Sequence, residues 1–381
     1  MVFLWKKWIC ALVSLILLLG IAVPASAQEH LSVSAAAAVV LCADNGQVLY
    51  AKNAEEERAM ASTTKIMTAL LTLEEAQRSD RVITVSPEAA AVEGSSMYLN
   101  AGDQITLRGL AAGMLIVSGN DAAFCAAQAI AGSQEAFAAR MNEKAQALNL
   151  EHTQFVTASG LDADGHYSTA LDLAKLAAAA LENAEFAEIC GQKTYSVDFI
   201  SPQRTQEYTN HNKLLRMYRG CIGVKTGYTK KAGRCLVSAA ERDGVRLVAV
   251  TLNAPDDWND HRNMLDYGFA QVSAVQLDER ETTLTVEAVG GTVGQVTVRG
   301  GNGGKVIVNA ADQARVKRIV ELPRFVYAPL MQGVRLGRVV YYLDGKELGS
   351  VPLQTDQTLE QLQEKRGWLT RLKQFFCQRF G

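Results

Sequence analysis

The sequence has 381 residues, 48% of them apolar and 20% charged, with a formal net charge of -2. A chain of that length and apolar content buries a full core and is expected to form two domains. Its near-neutral charge argues against a nucleic-acid partner.

Lys6 and Lys7 precede an apolar run from Trp8 to Val23, and Ala25, Ser26 and Ala27 place small residues at cleavage spacing behind it. Residues 1–27 read as a secretory signal peptide with the mature protein starting near Gln28. The alternative is an uncleaved membrane anchor, for which the run is short. Beyond this segment, Cys42, Cys125, Cys190, Cys221, Cys235 and Cys377 are scattered, with no C-x-x-C pair or histidine at zinc spacing. Neither a disulfide framework nor a metal is indicated, and no cofactor is implied. Cysteines inside apolar runs act as small buried hydrophobes.

Ala37 to Cys42 is apolar, Asp44, Asn45 and Gly46 supply a tight turn, and Val48 to Tyr50 returns, which predicts a β-hairpin. From Ser62 to Glu74 helix formers carry apolar residues at helical spacing, so a helix starts at or beside Ser62. Residues 107–150 hold two Ala- and Leu-rich stretches broken by Ser118-Gly119-Asn120 and by Gly132, and residues 168–184 open another with a Ser or Thr cap. The middle section is expected to be mostly helical. After Gly220 strands follow: Ile222 to Tyr228, Cys235 to Ala240, an Asp243-Gly244 turn, and Val245 to Leu252. A hairpin at the start and a meander at the end predict one antiparallel sheet whose halves close around a helical insertion, an α+β domain over 28–270.

Alternation and Gly-rich turns over 275–355, as in Thr283 to Val286, Val296 to Val298 and Val339 to Leu343 before Asp344-Gly345, predict a small all-β domain. Residues 359–380 place Leu359, Leu362, Leu369, Leu372, Phe376 and Phe380 on one helical face, with basic residues mostly elsewhere. A C-terminal amphipathic helix over 356–381 is therefore expected, either as an interfacial membrane anchor or docked on the protein's own core or another chain.

Three motifs carry chemistry: Ser62-x-x-Lys65, Ser118-Gly119-Asn120 and Lys225-Thr226-Gly227, in that order. A serine hydroxyl is a poor nucleophile until a base takes its proton. Residues three apart share a helix face, so Lys65 can reach the Ser62 oxygen. Lys65 must be neutral at the moment of attack, which burial and a nearby cation such as Lys225 favour. The oxyanion of a tetrahedral intermediate needs two fixed N–H groups, assigned to Ser62 and Tyr228. Ser118 can relay a proton to the leaving amine, Asn120 can bond a substrate amide, and Lys225 and Thr226 suit a terminal carboxylate. Gly227 leaves room for an extended substrate along the strand edge.

The ordered trio matches a pattern of penicillin-binding proteins and class A β-lactamases. With Ala61 to Thr68, Ser118 to Ala123, Gly160-Leu161-Asp162, Tyr167 to Ala170 and Lys225 to Thr229, the chain resembles the serine D-alanyl-D-alanine carboxypeptidases over nearly its whole length. The resemblance implies a penicillin-binding/β-lactamase-like transpeptidase fold, a β-rich second domain and an amphipathic anchor. It implies an acyl-enzyme at Ser62, peptidoglycan stem peptides ending in D-Ala-D-Ala as substrates, β-lactams as acylating ligands, and a peripheral place on the outer face of the cytoplasmic membrane. Where the family usually has Asn-Pro-His-Gly-Leu this chain has Thr157-Ala158-Ser159-Gly160-Leu161, so the loop at the rim of the site is expected to differ in shape. His211 stands where some relatives carry a substrate-binding basic residue and is left outside the catalytic set. The rivals are a β-lactamase, for whose deacylating glutamate only Glu143 is near and at the wrong spacing, and a catalytically silent peptidoglycan-binding protein.

Overall fold

The computed structural model describes residues 31–363. The expected signal peptide lies outside the described residues, as does the expected terminal helix from residue 364 onward. The predicted hairpin forms β1 (Ala37–Cys42) and β2 (Val48–Lys52). The meander forms β7 (Cys221–Thr229), β8 (Gly233–Arg242) and β9 (Val245–Leu252). They make one antiparallel sheet in the order β2-β1-β9-β8-β7, with Ala37 paired to Leu252. All six residues of β1 are buried because the sheet is covered on both faces. Ala37, Val39 and Leu41 face the helical core, while Val40 packs against the helix Asp257–Gln271, where Gly268 is the close-approach residue.

Between β2 and β7 lies the helical insertion. Its longer helices are α1 (Lys65–Arg78), α2 (Leu107–Ile116), α3 (Asn120–Ala131), α4 (Gln134–Ala147), α5 (Ala170–Leu181) and α6 (Ala184–Cys190). Thr106, Ser133, Thr169 and Asn183 cap α2, α4, α5 and α6 through their side-chain oxygens, satisfying backbone donors that a helix leaves open. Gly132 ends α3 in the left-handed region at φ +82°, as its place in the sequence suggests.

Flanking the expected helices, the insertion also holds a small antiparallel sheet, β3 (Val82–Thr84), β4 (Gln104–Thr106), β5 (Thr194–Ser201) and β6 (Arg204–Thr209), which the sequence did not suggest. β3 and β4 are three residues each, too short for a period to show, and β5 buries only Val197 and Phe199. Cys42, Cys125, Cys190 and Cys235 are buried free thiols, as expected of hydrophobe-like cysteines.

From β10 (Val272–Asp278) the chain is all β: β11 (Thr283–Val289), β12 (Gln295–Arg299), β13 (Asn302–Asn309), β14 (Lys317–Glu321), β15 (Phe325–Tyr327), β16 (Arg335–Leu343) and β17 (Lys346–Thr355). β10 pairs with β13, and a six-stranded sheet runs β14-β16-β17-β12-β11-β15 around Leu277, Val298, Val339, Val351 and Leu353. One expectation is corrected here. Residues 356–363 are not helical: Leu359 is buried and bridges Leu330, and Gln361 bridges Gly291. Leu359 and Leu362 thus belong to the β-domain, because Leu359 is buried there and pairs its backbone with Leu330 in both directions, and Leu362 N–H donates to Gly290.

Candidate active site

Ser62 sits in a single 3-10 turn, Ala61–Thr64, that runs into α1 at Lys65. Lys65 is fully buried, with its Nζ 3.0 Å from Ser62 Oγ, 2.7 Å from Asn120 Oδ1 and 2.6 Å from the Ser159 carbonyl oxygen. Burial holds this amine well below the usual lysine pKa, helped by the charge of Lys225 and partly offset by Asp121. The three N–H groups of an ammonium would also find these three oxygens, but burial favours the neutral amine, which has two N–H groups and one lone pair. Asn120 Oδ1 and the Ser159 carbonyl can only accept, so the lone pair is left for the Ser62 hydroxyl proton.

Asn120 opens α3, and its Nδ2 donates to the Glu93 carbonyl at 2.7 Å. Its amide oxygen and one N–H are therefore committed to holding Lys65, a task the sequence did not suggest. Ser118 lies between α2 and α3 in the left-handed region at φ +63° and faces the cleft. Asp121, one residue past the motif, accepts from Met97 N–H at 3.1 Å and from Ser96 Oγ at 2.6 Å, tying the 95–99 loop to α3.

β7 is the edge strand of the main sheet and forms the opposite wall. Ser62, Ser95, Ser118, His211, Thr226, Gly227, Tyr228, Arg234, Cys235, Asp257 and Trp258 line a cleft of about 600 Å³. A Cβ on Gly227 would lie 3.1 Å from the backbone nitrogens of Ser62 and Thr63. The glycine is needed for the strand to approach the nucleophile's turn, a reason beyond room for substrate. Lys225 is buried, donates from Nζ to its neighbour Thr226's carbonyl at 2.9 Å, and is pushed down to a pKa of about 7 by burial. His211 is on the rim, its imidazole lowered from the usual pKa by partial burial and then by Lys225.

Several contributors were not visible in the sequence. The 157–161 loop packs against the nucleophile's turn: Gly160 has φ +81°, and a Cβ there would sit 2.0 Å from the Ala61 carbonyl oxygen. Beneath it the buried His166 accepts at Nδ1 from Val156 N–H at 2.9 Å, so its Nε2–H donates to Thr64 Oγ1 at 2.8 Å. Thr64 Oγ1 in turn donates to the Ala61 carbonyl at 2.8 Å. Burial pulls His166 down to a pKa of about 4, so it stays neutral. Arg234, paired across the sheet with Tyr228, donates to Asp257 Oδ1 at 2.7 Å and puts a fixed positive charge in the cleft. Glu143 is on α4 in a separate surface depression with Glu74 and Lys144, away from the cleft, so it cannot serve as a deacylating glutamate.

Residues 23–256 match the family described as D-alanyl-D-alanine carboxypeptidase. The chain belongs to the D-alanyl-D-alanine carboxypeptidase family. Residues 275–361 match the C-terminal domain of penicillin-binding protein 5, which reaches past Leu359 as the described β-domain does. The chain is 33% identical over 97% of its length to the carboxypeptidase DacF of Bacillus subtilis, covering 97% of that protein. It is 33% identical over 92% of its length to DacC of Escherichia coli, covering 90% of it. Among solved structures, the carboxypeptidase DacD of Francisella tularensis aligns with a TM-score of 0.63 at 27% identity, covering 87% of this chain and 95% of that one. Penicillin binding protein 5 of Haemophilus influenzae aligns with a TM-score of 0.63 at 28% identity, covering 87% and 98%. As a carboxypeptidase of this family the protein is a serine hydrolase of the cell wall that removes the terminal D-alanine from peptidoglycan stem peptides and is acylated by penicillin.

Proposed function

We propose that Ser62, Lys65 and Ser118 perform the acyl transfer and that Thr226, Gly227, Tyr228 and Arg234 hold the substrate. Lys65 takes the proton as Ser62 Oγ bonds to the carbonyl carbon of the penultimate D-alanine. The resulting oxyanion is received by the N–H groups of Ser62 and Tyr228. The C–N bond then breaks, and the proton passes from Lys65 through Ser118 Oγ to the leaving amine. Water repeats the sequence on the acyl-enzyme, with Lys65 again as base, and releases Ser62. Thr226 and Arg234 meet the terminal carboxylate, with Lys225 supplying positive charge from behind the cleft wall. Asn120 keeps Lys65 in place and has one further N–H for a substrate amide. The observation that carries this reading is the fully buried Lys65 amine 3.0 Å from Ser62 Oγ, held there by the Asn120 Oδ1 and Ser159 carbonyl acceptors.

Residues 1–27 act in this reading as the export signal, residues 28–270 as the catalytic domain, and the segment beyond Gln363 as a peripheral anchor on the outer face of the membrane. Among the described residues no helix is long and apolar enough to cross a bilayer. Intact-mass spectrometry after brief exposure to benzylpenicillin tests the nucleophile: one adduct mapping to Ser62 is expected, absent in Ser62→Ala, with D-alanine released by wild type only. An adduct on Ser62→Ala would overturn the assignment. Fractionation of a chain ending at Gln363 tests the anchor, with loss of membrane association expected.

A further inference from the structure

The β-domain has an apolar pole at the end away from the catalytic domain. Its near end is marked by Lys305 of β13, which pairs with Asp44 of the catalytic domain at 2.8 Å. The β16–β17 turn lies near that end too, where Asp344 pairs with Arg315 of the segment that follows β13. Arg335 and Thr355, at the other ends of β16 and β17, therefore mark the far end. β12 pairs with β17 only there, Val298 against Thr355, so the β11–β12 turn at residues 290–294 projects outermost. The segment after β17 returns to this pole, with Leu362 N–H donating to the Gly290 carbonyl at 2.7 Å.

Residues 288–295 and 325–333 contain no charged side chain, in a protein that is 20% charged, and the returning segment adds one, the exposed Glu360, whose carbonyl accepts from Thr292 N–H at 2.9 Å. Their apolar side chains face solvent: Tyr327 is 66% exposed and Met331 71%, and Val289, Val293, Phe325 and Leu362 are about half exposed. They adjoin one another. Val289 is the register partner of Tyr327, the Phe325 and Tyr327 rings stand edge to face at 5.5 Å, and Leu330 beside Met331 bridges Leu359. A grouped apolar surface of this kind marks a contact.

The chain leaves the described residues at Gln363, from this pole, and the sequence that follows carries Lys365, Arg366, Arg371, Lys373 and Arg379 with Trp368, Phe375, Phe376 and Phe380. Uncharged aromatic and aliphatic side chains beside a basic, aromatic-rich segment are what the headgroup region of a bilayer accepts. We propose that the pole itself is a membrane-contact surface, with Val293, Tyr327, Met331 and Leu362 seated in the lipid interface next to the tail. The proposal rests on the peripheral anchoring above and adds a second contact. One weak interfacial signal binds reversibly, whereas two hold. Two contacts also fix orientation, so the β-domain stands on the membrane and carries the cleft a set distance from it.

Backbone hydrogen exchange of the full mature chain, with and without vesicles of phosphatidylethanolamine and phosphatidylglycerol, tests this. Slower exchange in both 288–294 and 325–332 with vesicles is expected. The double variant Tyr327→Ser/Met331→Ser should lose about tenfold in vesicle partition while keeping its unfolding temperature and D-alanine release. Protection confined to the tail, with both loops unchanged, overturns the pole contact and leaves the anchor reading intact. Equal vesicle binding by a chain ending at Gln363 overturns the anchor reading and leaves the pole contact standing. Loop protection without vesicles overturns the proposal in favour of a second copy if it rises with protein concentration, or of the protein's own tail if it vanishes on truncation.

Discussion

Replacing Asn120 by aspartate puts a carboxylate beside Lys65, the proposed base, with little change in shape. Lys65 Nζ lies 2.7 Å from Asn120 Oδ1. At that distance and an effective dielectric of about 20, unit opposite charges attract by about 6 kcal/mol, equivalent to raising the lysine's pKa by about 4. The cost of burying the new carboxylate opposes this, so a rise of at least about 2 is expected. While the new carboxylate is ionised it holds Lys65 as an ammonium, and the lone pair facing Ser62 is then lost near neutral pH. Because the neutral amine is the reactive form, the acid limb of the acylation profile should move to higher pH by about 2 or more. On that limb, where the rate follows the neutral fraction, acylation should fall about 100-fold at a given pH and recover as pH rises. The lost donor to the Glu93 carbonyl should also cost about 1–3 kcal/mol of stability, which thermal unfolding reports separately. The assay is the rate of penicillin adduct formation by intact mass from pH 6 to 10. An acid limb at the wild-type pH, whatever the plateau, would refute Lys65 as the base held by Asn120.

Gly160→Ala places a Cβ 2.0 Å from the Ala61 carbonyl at a positive φ; stability should drop by about 2 kcal/mol or more in denaturant unfolding, and an unchanged midpoint would contradict the packing described. Lys225 has a folded pKa of about 7 against about 10.4 in the unfolded chain, so the unfolded state binds its proton more tightly and the cost of burying the charge is relieved as pH rises between those values. Lys225→Met should therefore be more stable than wild type at pH 7 and lack at most about 4 kcal/mol of the wild-type gain between pH 7 and 10; parallel stability curves would remove the effect. Arg234→Gln should lower kcat/KM for a D-Ala-D-Ala peptide by about 10- to 100-fold through loss of a charged hydrogen bond, chiefly in KM, and an unchanged KM would place the carboxylate elsewhere.

The motif residues were legible because each motif is local. Ser62 and Lys65 need only a shared helix face, and Gly227 only an edge strand. The partners that arrive through tertiary folding left no such trace. Ser159 contributes a backbone carbonyl, which any residue carries. Arg234 matters because β8 sets it opposite Tyr228 and the helix at Asp257 meets it, and neither pairing is a spacing in the chain. The loop read as a rim feature, Thr157 to Leu161, turned out to touch the base itself through Ser159 and to brace the nucleophile's turn through Gly160. At the other end of the chain, Leu359 and Leu362 are three apart and so fit a helical face. That spacing outlived the helix: the backbone there pairs with Gly290 and Leu330 instead.

The closing of the main sheet sets the order in which the enzyme can come into being. β1 lies between β2 and β9, and its pairing with Val245–Leu252 joins segments from opposite ends of the catalytic domain. A chain that emerges N-terminus first has only a two-stranded hairpin there, which is marginal alone, until the last strand exists. Pairings so distant in sequence form slowly. Gly227 and Tyr228 reach Ser62 only as part of that late sheet, so a partly made chain carries Ser62 and Lys65 without a cleft.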